Sequence, residues 1–286
     1  MVPEIITMDA VKEIAKANAK AMYEDAAQPS VRVVGKALAQ CTSLFATPIG
    51  RTAEIFENNL HKYIDKLEGI QEAELVAPDT RILVPILEKL RYTDDEVVSD
   101  YYAQILATAS IKNQSNKVMV TFIEILNRLS ADELKIIEYV NSKENYAQVE
   151  GLTSEELVKY GLHEDVKKVS ITGGFPVLNI NIRKKDDPAY NTLRKNFSLI
   201  PELMKLIAPE NIDMYLDNMM SLGLLKKEQD KRYAFTKIYE FLEKNSYIKK
   251  VESKIGEDRR LEIERGRIDI TNLGLKLLSL GGKNEK

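Results

Sequence analysis

From Asp9 to Leu129 apolar side chains recur at three- and four-residue spacing almost without a break, a period that fits helices and little else. Between Asp9 and Gln28 the stripe is Val11, Ala15, Ala19, Met22 and Ala26, with Lys12, Glu13, Lys16, Lys20 and Glu24 on the opposite side. Pro29 closes that segment, because proline disfavours helix in the residue before it. A second helix is predicted over residues 52–68 through Phe56, Leu60, Tyr63, Ile64 and Leu67, with Gly69 at the left-handed position that ends it. Asp79 is placed to cap a third, carrying Ile82, Leu83, Ile86, Leu87 and Leu90, and Pro85 inside it predicts a kink or a late start.

Three boxes mark later helix starts: Thr93 with Glu96, Ser130 with Glu133, and Thr153 with Glu156. In each, hydroxyl and carboxylate satisfy one free backbone N–H apiece, and flanking apolar residues can close as a staple. They predict helices to about Ile111 and to about Asn141, and a short one ended by Gly161. Between the first two, residues 113–116 make a polar turn, and Val118, Phe122, Ile125 and Leu129 form one more helix face.

After Gly161 the period changes. Leu178, Ile180 and Ile182 alternate with Asn179, Asn181 and Arg183, which predicts a half-buried strand and then a charged turn over 184–188. Helical spacing returns through Leu193, Phe197, Leu203, Leu206 and Ile207, broken by Pro201 and Pro209. Helices follow over 210–222, with Ile212, Tyr215, Leu216, Met219 and Met220 inward and Gly223 as terminal cap, and over 236–255. The alternating runs on either side of Arg265-Gly266 predict a short hairpin. Thr271 can cap a last helix through Leu280, before the tail 281–286 frays. The expectation is a mainly α chain, with a helical region over 1–129 and a winged-helix-like α+β region with a small β-sheet and insertions over 130–280.

Composition narrows the chemistry. A single cysteine excludes an internal disulfide framework and a multi-cysteine metal site. His61 and His163 each lack a second histidine at helical spacing, so no metal is expected. Cys41 lies in a small-residue apolar segment where a thiol is a packing group, and Gly173-Gly174 has neither the spacing nor the lysine of a phosphate loop. No cofactor and no catalytic residue is expected, and the predicted class is non-enzymatic.

A net charge of −3 gives no general reason for nucleic-acid affinity, and the helix over 210–222 would offer a phosphate backbone Glu210, Asp213, Asp217 and Asn218. The basic side chains that form a candidate partner or nucleic-acid surface are Lys249, Lys250, Arg259, Arg260, Arg265 and Arg267. Glu257, Asp258, Glu262, Glu264 and Asp269 interleave with them, which suits a solvated or protein-contact face better than DNA. Residues 31–56 combine Val33, Val34, Leu38, Leu44, Phe45, Ile49 and Phe56 with Arg32, Lys36 and Arg51, a pattern that core packing explains more readily than a membrane surface. An acidic start without a following apolar run, and uncharged stretches (37–50, 169–182) shorter than the roughly 20 residues a spanning helix needs, predict a cytoplasmic protein.

Several runs carry a family resemblance. Leu75-Val-Ala-Pro, the block Ile86-Leu-Glu-Lys-Leu-Arg-Tyr-Thr-Asp-Asp-Glu, Tyr102-Ala-Gln-Ile-Leu-Ala, Phe122-Ile-Glu-Ile-Leu and Leu129-Ser-Ala-Asp-Glu together resemble the Abi-alpha (abortive-infection alpha) family. Leu222-Gly-Leu-Leu and Ile268-Asp-Ile-Thr-Asn-Leu-Gly extend the resemblance toward the C-terminal end. It implies a role in phage defence for a helical protein with no established chemistry. The expected mode of action is contact with a host or phage protein, or self-association, with nucleic acid and membrane surface as the less supported alternatives.

Overall fold

The computed structural model describes residues 50–281 apart from 150, 161, 162, 164–166, 188 and 228–230. The helix expected over 9–28, Cys41, most of the 31–56 stretch, Gly161 and the tail after Gly281 lie outside the described residues. The chain forms two compact units, residues 1–129 with 279–286, and residues 130–278.

The described part of the first unit contains α1 (Arg51–Asp65), α2 (Thr80–Leu90), α3 (Glu96–Ala109) and α4 (Val120–Leu126). Leu60 and Tyr63 of α1 are buried as the spacing predicts, and Gly69 takes the left-handed backbone that follows the helix. α2 starts directly after Asp79, whose side chain accepts from the Arg81 amide at 2.8 Å, so Pro85 delays nothing. The cap of α3 is Asp95, which accepts from Val98 N at 3.0 Å, not Thr93. Thr93 is turned back instead, its hydroxyl donating to Lys89 O in the last turn of α2. Asn59 of α1 donates to Leu90 O and Thr93 O at 2.8 and 2.7 Å, satisfying carbonyls that the end of α2 leaves open. α3 is buried almost all round, with Tyr101, Ile105 and Leu106 in a core that includes Leu83, Ile86 and Leu87 of α2 and Phe122 of α4. Burial pushes the Tyr63 hydroxyl well above its ordinary pKa, opposed by its hydrogen bond to Ser110.

The second unit opens with α5 (Ala131–Asn141), whose Ser130–Glu133 capping box forms in both directions. β1 (Tyr146–Gln148) is followed by α6 (Ser154–Tyr160), where Thr153 and Glu156 also form their box, and by β2 (Lys168–Ser170), antiparallel to β1. Then come β3 (Gly174–Lys184), β4 (Tyr190–Phe197), α7 (Ile200–Leu203), α8 (Ile212–Ser221), β5 (Leu225–Lys227), α9 (Lys237–Glu243), α10 (Ser246–Glu252), β6 (Arg259–Ile270) and α11 (Asn272–Gly281). The larger sheet has the order β4-β3-β6-β5 with antiparallel neighbours. Thr271 caps α11 by accepting from Gly274 N, and Gly223 ends α8 with positive φ, both as expected.

Four expectations are corrected. Residues 190–197 are a strand, because β3 offers a full-length partner and two bulges in β4 allow Leu193 and Phe197 to stand four apart without helix. β3 is half-buried only toward its end: it is a central strand covered on both faces, and Asn181 is 1% exposed. The helix over 236–255 is two, because the Asn245 side chain accepts from Tyr247 N and starts α10 anew. Arg265-Gly266 is no turn: β6 runs unbroken for 12 residues, with 259–269 in continuous register against β3, and the predicted hairpin is absent. A mainly helical region is thus followed by a mixed α+β region with small sheets.

Candidate contact surface on the sheet

The six basic residues of the candidate surface fall into two groups. Arg265 makes a bidentate pair with Glu243 of α9 at 2.6 and 2.9 Å, and its guanidinium lies 5.5 Å from the Tyr239 ring centre. Arg267 pairs with Asp269 and sits 4.5 Å over Tyr233. The hydrogen bond to Glu243 holds the Arg265 pKa above even the usual guanidinium range. Both side chains therefore brace the sheet against the segment around α9. Lys249 and Lys250 on α10, with Arg259 and Arg260 at the start of β6, are exposed. Register places Arg259 opposite Lys184 and Arg260 opposite Arg183, and Arg183 pairs with Glu262 at 3.2 Å.

Beside this basic end runs a groove of about 370 Å³ lined by Ile182, Leu193, Val251, Ile255, Lys254 and Arg259, with Gly256 and Asp258 completing its rim. Each wall has a local cause. The register step between Ile180↔Arg194 and Asn181↔Thr192 gives β4 one extra residue, Leu193, which is left 44% exposed. The restart of the helix at Asn245 sets the α10 face that supplies Val251. The opposite turn of α10 buries Ile248 in the cluster of Leu178, Ile180, Phe197 and Tyr239. Phe197 stacks on Tyr247 at 5.7 Å, and Arg194 lies over both rings while pairing with Asp213 at 3.3 Å, so this side of the sheet is firmly built.

An apolar floor with cations and an anion at its rim can receive an aliphatic or aromatic side chain of another protein and orient it by charge. Leu193 and Val251 are missing from the sequence-predicted surface because both lay in segments read as continuous helix. The exposed leucine in a short polar run, Tyr190-Asn-Thr-Leu, was the available signal. Among the described residues no group of three His, Cys, Asp or Glu is placed to hold a metal ion, and no helix is long and apolar enough to cross a membrane.

No curated protein matches the chain significantly. A solved structure, that of an uncharacterized protein from the hydrocarbon-degrading marine bacterium Alcanivorax borkumensis SK2, is similar over 59% of this chain and 94% of its own, with 16% identity and a TM-score of 0.29. The family model described as abortive infection alpha matches residues 52–280, which takes in nearly all of α1 and the whole of α2, α3 and α4 among the described residues of the first unit, and the larger sheet of the second. The chain belongs to the abortive infection alpha family.

Proposed function

We propose that this protein serves in defence against phage by non-covalent contact with a protein partner, through the groove between Ile182, Leu193, Val251 and Ile255 and the neighbouring Lys249, Lys250, Arg259 and Arg260. The observation that carries the contact reading is the groove itself, apolar at its floor and charged with both signs at its rim. Family membership supports the setting. The action needs no bond-breaking chemistry, and the partner is a host or phage protein with an exposed apolar anchor and acidic neighbours. Deletion of the gene is expected to raise phage yield per infected cell and to change the survival of infected cells on part of a broad phage panel. Unchanged yield and survival across the panel would overturn the proposal.

A second reading, a winged-helix DNA-binding regulator, draws support from element order: α5, β3, α7, α8, β5 and β6 run helix, strand, two helices and two strands of one sheet. On that reading α8 would be the recognition helix. Its outward residues include Met214 and Asp217, and Asp213 is paired with Arg194, which is the wrong sign for phosphate. No shift of duplex DNA at low salt would end that reading.

A further inference from the structure

Lys227 lies on β5 at one edge of the sheet, and β4 forms the other edge, with β6 and β3 between them. The side chain passes over Gly266 of β6, where an added Cβ would stand 3.3 Å from the lysine Cε. Its amine donates to Asn179 Oδ1 on β3 at 2.8 Å and to Asn196 Oδ1 on β4 at 2.7 Å. One side chain therefore touches all four strands. Asn179 also accepts from the Asn196 backbone amide at 3.3 Å and donates to Glu264 at 3.3 Å.

The far end of this chain of contacts is the least relaxed backbone in the sheet. Asn196 has φ of 54°, and it is the non-glycine residue with positive φ among those described. It sits in the bulge where Lys195 and Asn196 together face Asn179, and it is 6% exposed. A left-handed residue with a Cβ is unfavourable and persists only where its surroundings hold it, and asparagine is the side chain that tolerates it best. Partial burial lowers the Lys227 pKa, the Glu264 carboxylate opposes that shift and Lys195 adds to it, so the ammonium is held by geometry against some cost.

We infer that Lys227 is a clasp that keeps edge strand β4 in its bulged register, so that loss of its amine frees β4 while the rest of the sheet stays paired. The inference stands on the sheet alone and does not depend on the contact reading. Gly266 follows from it, since a side chain at that position would lift the lysine off β6.

Amide hydrogen exchange tests the clasp. In Lys227→Met the amides of 190–197 are expected to exchange about tenfold faster, while those of 259–270, paired in continuous register with the central strand β3 over 259–269, change by less than about twofold. Adding Asn196→Gly removes the strained Cβ, and the double variant is expected to recover at least half of that protection. Equal acceleration of both strands, or no acceleration of β4, overturns the inference. Should Lys227→Met fail to fold, Asn196→Gly alone decides: exchange in β4 at or below the wild-type rate is expected, and faster exchange than wild type overturns it.

Discussion

Gly274→Ala is expected to destabilise the protein by about 3 kcal/mol, a fall in melting temperature of roughly 6 to 12 °C, although glycine-to-alanine inside a helix ordinarily gains about 1 kcal/mol. The reversal of sign comes from what α11 crosses. A Cβ on Gly274 would lie 2.5 Å from the Leu224 carbonyl oxygen, 2.9 Å from Ile270 Cγ2 and 3.3 Å from Ile137 Cδ1. The first of these is backbone leading into β5 and has no rotamer to retreat to. Helix α11 must therefore move off the sheet edge or the start of β5 must yield, and either exposes Ile268 and Leu277, both fully buried. Gly69 is the control, with φ of 80° and nothing within 4 Å of an added Cβ, so alanine there costs only the left-handed penalty of about 1 to 2 kcal/mol. Urea melts of the two variants beside wild type measure the difference, and a Gly274→Ala protein as stable as wild type would refute the packing argument.

Asp132→Ala is expected to cost a further large amount, about 3 kcal/mol, from one side chain that the sequence presents as part of a helix cap. Its carboxylate accepts from the amides of Ile207 and Ala208 at 2.8 to 2.9 Å and from the Tyr215 hydroxyl at 3.1 Å, and only 2% of the residue is exposed. Beside it Glu133 closes the capping box with one oxygen and accepts from Asn218 with the other at 2.6 Å. The first turn of α5 thus fastens both α8 and the segment that leads into it. Burial alone would raise the Asp132 pKa, but the two amides, the tyrosine hydroxyl and Lys135 together hold it below the ordinary aspartate value.

The pH dependence follows from that direction. A carboxylate whose folded pKa lies below its unfolded one adds stability above the unfolded value, near 4, and loses that contribution as pH falls through the folded value. The stability gap between wild type and Asp132→Asn is therefore expected to be full at pH 7 and to shrink progressively below about pH 4. A gap that stayed constant from pH 7 to pH 2 would show that the charge on Asp132 contributes nothing.

How much of this was legible in the sequence depended on how far away the cause lay. α1, α2, α5 and α8 follow from apolar spacing and from caps within a few residues, and their boundaries are close to those expected. The cap of α3 is Asp95 and not Thr93, whose hydroxyl turns back to Lys89 O, a contact only four residues back but invisible to a motif. Leu193 and Phe197 mimic a helix face because bulges shift the strand period, and bulges are set by the partner strand. Gly266 resembles a turn glycine, yet it is small because Lys227, 39 positions earlier, lies across it. The candidate surface divided for the same reason: charge marks Arg265 as a ligand for something, but the Glu243 that meets it comes from a separate helix. Glu133 was legible as part of a cap, while its role and that of Asp132 in holding α8 rest on residues about 75 to 85 positions away.

On the proposed reading, the groove is where this member of the abortive infection alpha family meets its partner. The most direct measurement is complementation of a deletion strain, scoring phage yield and survival of infected cells with wild-type protein and with Leu193→Lys. Leu193 is 44% exposed, so the variant is expected to fold and melt as wild type does while carrying a charge into the apolar floor. The expected result is that wild type restores the restricted phage yield and Leu193→Lys does not. Full protection by a stably folded Leu193→Lys would contradict the proposed contact.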